Sequence, residues 1–169
     1  MEKEKISQAI GILKETDTDL WMVIDKESEV LTDPIMDFVV GTGVTWFSFF
    51  MFFKTGEKYA IVGNLDIEKT KRLNLFDEIF AYKSSPREDL LKILNKHNPR
   101  AIAIDYSVDS PTADGLTYGR YLKLLSFLEG TVYKDRLISA EGIIAKLRGR
   151  KSPEEVRRIK KAIEITLEI

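Results

Sequence analysis

Cysteine is absent from this 169-residue sequence, and histidine occurs only once, at position 97. The missing thiols exclude disulfides, cysteine-ligated zinc or iron–sulfur sites, and a cysteine nucleophile. A chain of this length buries about two-thirds of the surface that its extended form exposes, so it needs no cross-link to fold. The composition fits a reducing compartment, and we expect a cytoplasmic protein.

An excess of either charge is also missing, since 26 basic and 27 acidic side chains leave a formal net charge of -1. No overall positive field attracts nucleic acid. Residues 1–5 carry charges of both signs and lack the apolar segment of a signal peptide. The uncharged residues 38–53 fall short of the ~20 needed to span a bilayer, and we interpret them as a buried strand. We therefore expect neither a nucleic-acid nor a membrane partner.

The first half of the chain alternates helical and strand patterns. A helical stripe of Ile6, Ala9, Ile10 and Leu13 predicts an opening helix, and the apolar residues 20–24 predict a strand. Residues 46–53 are apolar at odd and even positions alike, which indicates a central strand covered on both faces. A turn at residues 54–58 and the apolar residues 59–62 predict an antiparallel hairpin.

The second half continues the alternation. We predict a short helix at 68–73, a strand at 78–82, a helix at 86–96 and a strand at 101–104. A helix at 118–128, an edge strand at 131–133 and a penultimate helix around 143–147 are predicted to follow. Because a hairpin accompanies the alternating elements, the sheet must be mixed. The predicted fold is α/β, a mixed β-sheet flanked by helices on both faces.

The last helix has the most specific start signal in the chain. Ser152 is a good N-cap, Pro153 suits the first helical position, and Glu155 completes a capping box. The apolar residues that follow recur at helical spacing: Val156, Ile159, Ile163 and Leu167, with Ile165 and Ile169 expected to widen the stripe. Such a stripe must be buried against something, and we expect its partner to lie beyond Ile169.

The same junction carries a resemblance to a known family. Basic residues, then Lys-Ser-Pro-Glu-Glu at 151–155, then a helix with Lys-Lys-Ala at 160–162 resemble the link between the two domains of creatinase, prolidase and aminopeptidase P relatives, the pita-bread metallopeptidases. A weaker similarity covers the opening helix and the strands at 19–25 and 101–105. Residues 31–41 depart from the Asn-x-x-Tyr-x-x-Gly segment of many relatives, which puts that loop's substrate contacts in doubt.

The resemblance implies a ribonuclease H-like creatinase/prolidase N-terminal domain at residues 1–150. Residues 151–169 would be a linker helix leading to an absent C-terminal metallopeptidase domain. The chain would then be the non-catalytic part of an Xaa-Pro dipeptidase or aminopeptidase, aiding dimerisation and substrate access. Its partners would be that catalytic domain, a second subunit and short proline-containing peptides. The alternative is a self-standing interaction module without peptidase activity, which docks through its last helix.

We predict no catalytic, cofactor-binding or metal-binding residue in this chain. The resemblance implies two divalent metal ions, such as Mn, Co or Zn, only for the missing catalytic domain. His97 stands at a predicted helix C-terminus, where the helix dipole favours the imidazolium form, and we interpret it as structural.

Two groups of aspartates remain open to functional readings. Asp105, Asp109 and Asp114 could bind a metal, although aspartates near Pro111 and Gly115 are ordinary turn residues. Asp25 and Asp105 both end predicted strands, as the carboxylates of a two-metal nuclease would. The balanced charge counts against that activity.

Two weaker signals have plain structural explanations. Residues 41–43, Gly-Thr-Gly, lack the Gly-Lys-Ser/Thr of a phosphate loop, so we predict a turn. A basic run could bind an acidic partner, but Glu154 and Glu155 interrupt it, which favours a solvated helix face. That run consists of Arg148, Arg150, Lys151, Arg157, Arg158, Lys160 and Lys161.

Overall fold

The computed structural model of this chain describes residues 1–168. Its α-helices are α1 (Glu2–Glu15), α2 (Met36–Val39), α3 (Ile67–Arg72), α4 (Arg87–His97), α5 (Tyr118–Leu128), α6 (Glu141–Gly149) and α7 (Pro153–Leu167). Its strands are β1 (Leu20–Asp25), β2 (Ser48–Phe53), β3 (Lys58–Gly63), β4 (Glu78–Tyr82), β5 (Ile102–Ile104) and β6 (Leu137–Ser139). Two 3-10 helices, Pro111–Ala113 and Val132–Arg136, complete the regular structure described.

The six strands form one mixed sheet in the order β4-β3-β2-β1-β5-β6. Only β2 runs against its neighbours, while β1, β3, β4, β5 and β6 share one direction. The predicted hairpin is confirmed as β2 and β3, with Gly56 in the turn at φ +114°, a conformation that side chains rarely adopt. The predicted α/β class and mixed sheet are confirmed.

Helices cover both faces of the sheet, as predicted. Alternate residues of β1 point to opposite faces, so Trp21 packs with α1, α2 and α6 while Met22 packs with α4 and α5. Every residue of β1 and β2 is buried, which explains why their sequences are apolar at odd and even positions. The strand order β3-β2-β1-β5-β6 matches the ribonuclease H-like arrangement, and β4 extends it at one edge.

Two sequence predictions about element positions are wrong. Residues 131–133 were expected as an edge strand, but Val132–Arg136 is a 3-10 helix and the edge strand is β6. The Thr131 hydroxyl accepts the Tyr133 N–H at 3.3 Å, and the buried Tyr133 hydroxyl donates to Leu94 O at 3.0 Å. These bonds turn the chain inward, which a strand would not allow.

The uncharged residues 38–53 are likewise not one strand. They begin within α2, pass through an irregular connection and become β2 only at Ser48. The Gly-Thr-Gly segment lies in that connection, with Gly41 at φ +73°. Within residues 1–168, no helix is long and apolar enough to cross a membrane.

Candidate functional site at the carboxyl edge of the sheet

Two acidic residues stand where parallel strands end. Asp25 is the last residue of β1, and Asp105 follows β5 directly. Because β1 and β5 pair in parallel, both side chains lie at the same edge of the sheet. This edge is where open α/β sheets commonly bind ligands. Both residues are buried, so each carboxyl group needs a compensating partner.

Asp25 is surrounded by donors. Its Oδ2 accepts hydrogen bonds from the hydroxyls of Ser28 at 2.7 Å and Thr32 at 2.9 Å, and its Oδ1 accepts from the Lys26 N–H at 2.8 Å. Arg120 Nη1 lies 2.8 Å from the same Oδ1, an ion pair without the directional geometry of a hydrogen bond. The side chain is therefore a charged anchor for the loop that leaves β1.

Arg120 connects that loop to helix α5. The Arg120 side chain is only 10% exposed, and its Nη2 donates to the carbonyl oxygens of Lys26 and Leu31, both at 2.5 Å. One guanidinium group thus holds a carboxylate and two loop carbonyls, a geometry that its planar fork of donors suits. Sequence analysis did not single out Arg120, because no spacing links it to Asp25.

Asp105 forms a carboxyl pair with Asp33. The Trp21 Nε1–H donates to Asp105 Oδ1 at 2.6 Å, and the Ile35 N–H donates to Asp33 Oδ1 at 3.0 Å. The second oxygen of each carboxyl group, Asp105 Oδ2 and Asp33 Oδ2, is buried with no other donor within residues 1–168. Burial raises the pKa of Asp105 well above its usual range, and the nearby Asp33 charge raises it further. Burial also raises the pKa of Asp33, although the bonds from Ile35 and Asp105 act in the opposite direction. We infer that Asp105 keeps the proton and donates it to Asp33.

The aspartates considered as metal ligands do not form a ligand set. Within residues 1–168, no three His, Cys, Asp or Glu side chains are grouped so that they could hold a metal ion. Asp109 and Asp114 are exposed, and Asp114 Oδ1 accepts the Ser107 N–H at 3.3 Å as a turn residue does. Asp25 and Asp105 do reach one edge, but Asp25 pairs with Arg120 and burial raises the pKa of Asp105, an arrangement unlike that of a two-metal nuclease.

His97 is the last residue of α4 and is half-buried, and the groups it contacts are aromatic. Its ring stacks on Phe53 with centroids 4.1 Å apart, and its Nε2 lies 3.0 Å from the Tyr59 hydroxyl. Burial lowers the pKa of His97 despite the raising effect of Glu57.

The start of α7 is attached to the body of the domain by a buried lysine. Lys5 of α1 is fully buried, lies 2.6 Å from Glu155 Oε2, and donates to the carbonyls of Leu147 at 3.0 Å and Arg150 at 2.7 Å. The predicted capping box is confirmed, since Ser152 and Glu155 bond each other's backbone N–H. Sequence analysis missed Lys5, although Ala9 and Ile12, four and seven residues later, place it on the buried face.

Beyond this attachment, α7 has no buried residue. Its apolar stripe is exposed: Val156 by 40%, Ile159 by 45% and Ile163 by 53%. Ile165 does not widen the stripe as expected, because nine residues at about 100° each place it opposite Val156. The expected contribution of Ile169 lies outside the described residues.

The basic run around α7 is mostly engaged with nearby groups. Glu154 pairs with Arg157 and Arg158, each at 2.7 Å, and Arg150 forms a two-pronged pair with Glu15 at 2.7 Å. The three arginines are exposed, which agrees with the interpretation as a solvated face.

Solved structures of longer peptidases and of an isolated N-terminal domain share this fold. The chain superimposes on an Xaa-Pro dipeptidase from Bacillus anthracis (TM-score 0.63, 15% identity), covering 93% of this chain and 38% of that one. An X-Pro aminopeptidase from Thermotoga maritima gives a TM-score of 0.66 at 16% identity, with 96% and 41% covered. The creatinase/prolidase N-terminal domain of an X-Pro dipeptidase from Streptococcus pyogenes gives 0.59 at 12% identity, with 83% and 96% covered.

These similarities establish the fold of the creatinase/prolidase N-terminal domain for this chain, as the sequence resemblance implied. No family model and no curated protein matches the sequence. The chain spans about two-fifths of the length of the longer peptidases, 38% and 41% in the two cases above, and it aligns with nearly the whole of the isolated N-terminal domain.

Proposed function

We propose that this chain is the non-catalytic N-terminal domain of an Xaa-Pro dipeptidase or aminopeptidase. The observation that carries the proposal is helix α7, which is firmly attached to the domain at its start and uncovered along its apolar stripe. A helix with one apolar face gains most of its stability from packing, so α7 needs a covering partner. A catalytic domain that follows α7 would be that partner.

The attachment at Lys5 supports this role. Because Lys5 holds Glu155 and two carbonyl groups at the end of α6, the first turn of α7 cannot swing freely relative to the sheet. A domain joined through α7 would therefore take a defined orientation. The long peptidases of the same fold, of which this chain covers about two-fifths, also support a larger parent protein.

For the whole protein we propose metal-dependent cleavage of Xaa-Pro peptides. Two divalent metal ions, such as Mn, Co or Zn, would be bound by the catalytic domain and would activate the water that cleaves Xaa-Pro peptides. The N-terminal domain would contribute to a homodimer and would exclude longer peptides sterically. We place the protein in the cytoplasm.

The first test compares the natural protein with the 19.4 kDa chain. We expect an intact mass larger by roughly 150–250 residues, the size of a further domain. We also expect the natural protein, supplied with Mn²⁺, to hydrolyse an Xaa-Pro dipeptide that the chain alone leaves intact. A natural mass of 19.4 kDa would overturn the proposal and favour the self-standing interaction module.

The role of α7 is tested in the full-length protein by Ile163→Asp. A carboxylate in the buried stripe would be desolvated, so we expect the midpoint of thermal unfolding of the catalytic domain to fall. Ile165→Asp is the matched control, because it makes the same chemical change on the opposite side of the helix. Equal effects of the two variants would contradict packing through the stripe.

A further inference from the structure

An open cleft of about 610 Å³ lies beside Arg120, at the edge of the sheet where β1 and β4 end. Its volume is within the range of small-molecule sites, about 300–1,000 Å³. Lys26 follows β1, Lys83 follows β4, and Gly119 and Arg120 belong to the first turn of α5. With Trp46 and Phe47 before β2, the cleft is built from four separate segments that the topology brings together.

The charge of this cleft is one-sided. Four of its nine lining residues are cations, Lys26, Lys83, Arg120 and Lys123, and none is acidic. The Asp25 carboxylate pairs with Arg120 and offsets its charge. None of the three lysines forms an ion pair with a carboxylate of residues 1–168. In a chain whose charges are nearly balanced, this concentration of positive charge favours an anion.

Arg120 forms a fixed part of the cleft. Its side chain is nine-tenths buried, its Nη2 donates to two carbonyl groups, and its buried Nη1 lies 2.8 Å from Asp25 Oδ1. Because these groups of Arg120 face the protein, the donors left for a ligand are those of the three lysines.

The opposite wall is aromatic and equally fixed. Asp66 Oδ2 accepts the backbone N–H of Trp46 at 3.2 Å, and the Tyr82 hydroxyl donates to Phe47 O at 2.9 Å. The rings of Trp46 and Tyr82 lie 5.6 Å apart. Gly63 leaves room for Trp46, since a Cβ at Gly63 would lie 2.5 Å from the Trp46 side chain. An apolar or planar group can therefore pack against this wall.

We propose that this cleft binds a small organic anion, with a carboxylate or phosphate group held by Lys26, Lys83 and Lys123 and an apolar body against Trp46 and Tyr82. The site belongs to the N-terminal domain itself, so the inference goes beyond the proposed function and does not depend on it. The anion-binding groups come from the ends of β1 and β4 and from α5, and the apolar wall comes from the residues before β2 and the end of β4.

The test is an NMR titration of the whole chain with phenyl phosphate and with benzoate. The protein has two tryptophans, so the indole N–H signals provide an internal control. We expect the Trp46 signal to shift to saturation, while the Trp21 signal, whose N–H is buried against Asp105, stays in place. Tighter binding of phenyl phosphate assigns the head group as a phosphate, and tighter binding of benzoate assigns it as a carboxylate.

Charge reversal at two exposed lysines tests the anion-binding part. Lys83→Glu with Lys123→Glu should weaken binding by about tenfold or more, since charged hydrogen bonds of this kind are lost. The matched control, Lys134→Glu with Lys160→Glu, changes the net charge equally at exposed positions outside the cleft and should stay within about twofold of the unmodified chain.

Several results would overturn the inference. An unmoved Trp46 signal at millimolar phenyl phosphate, an equal shift with neutral benzyl alcohol, or equal weakening by the control variant would each contradict an anion site in this cleft. Binding of inorganic phosphate as tight as that of phenyl phosphate would contradict a role for the aromatic wall.

Discussion

Helices α6 and α7 follow one another in the chain, and both carry apolar residues at helical spacing. In α6 the residues Ile143, Ile144 and Leu147 are buried against the sheet, whereas no residue of α7 is buried. The same sequence pattern therefore leads to a covered helix in one case and to an open surface in the other. The difference teaches that periodicity identifies a face that needs a partner, while the topology decides whether this domain supplies it.

The largest effect is expected for a substitution in α6, the helix whose apolar face is buried. Ile144 is fully buried in α6, so Ile144→Ala should lower the free energy of unfolding by about 3 kcal/mol through lost burial and the cavity left behind. Ile163→Ala on α7 is the matched change, and it should cost less than about 0.5 kcal/mol because the side chain is exposed. Urea unfolding of the chain measures both. Similar losses would mean that α7 is packed in solution.

A second prediction concerns the link between the two helices. Lys5→Met leaves the carbonyls of Leu147 and Arg150 without their donor and Glu155 without its cation, so we expect a loss of about 2 kcal/mol. Urea unfolding measures the loss, and hydrogen exchange of the α7 amides should become faster. Exposed Lys3→Met on the same helix is the control and should change little. Unchanged exchange in α7 would contradict the attachment.

The smallest expected effect is a change of stability with pH. It distinguishes the buried Asp105–Asp33 pair from the exposed ion pairs of Glu154. The pKa of Asp105 is raised in the folded state, so between its unfolded pKa of about 3.9 and the higher folded value the folded chain binds more protons. The stabilising contribution of this pair is thus present at low pH and is lost as the pH rises through that window. Asp105→Asn keeps a donor toward Asp33 and an acceptor for Trp21 without a titrating proton.

We therefore expect Asp105→Asn to gain stability relative to the unmodified chain as the pH rises from 4.5 to 8. Denaturant unfolding at the two pH values measures the difference. Glu154→Gln on α7 should show no such change over this range, because the pairs with Arg157 and Arg158 lower the pKa of Glu154 to about 2, below the window. Parallel pH profiles of Asp105→Asn and the unmodified chain would refute the carboxyl pair.

Most of the fold could be predicted from local pattern. The buried strands β1 and β2, the hairpin at Gly56 and the capping box at Ser152 depend on contacts within a few residues, and all three were confirmed. The 3-10 helix at Val132–Arg136 could not be predicted, because the buried hydroxyl of Tyr133 bonds to Leu94, which is far away in the chain.

The carboxyl edge of the sheet was predicted only in part. Asp25 and Asp105 were recognised at the ends of their strands, but Asp33 and Arg120 lie in a loop and a helix with no spacing that relates them to the aspartates. The protonation of Asp105 likewise depends on burial beside Asp33, which a linear pattern does not reveal. The sequence supplied candidates, and the packing decided which of them meet.

By itself the sequence determined the element types, the mixed sheet and the start of α7, because apolar spacing, a glycine turn and a helix cap act over short distances. Only the tertiary structure decided that Lys5 is a buried link, that Asp105 is buried beside Asp33 with a raised pKa, and that four cations share one cleft with an aromatic wall. These features arise where segments distant in the chain converge, and convergence depends on topology.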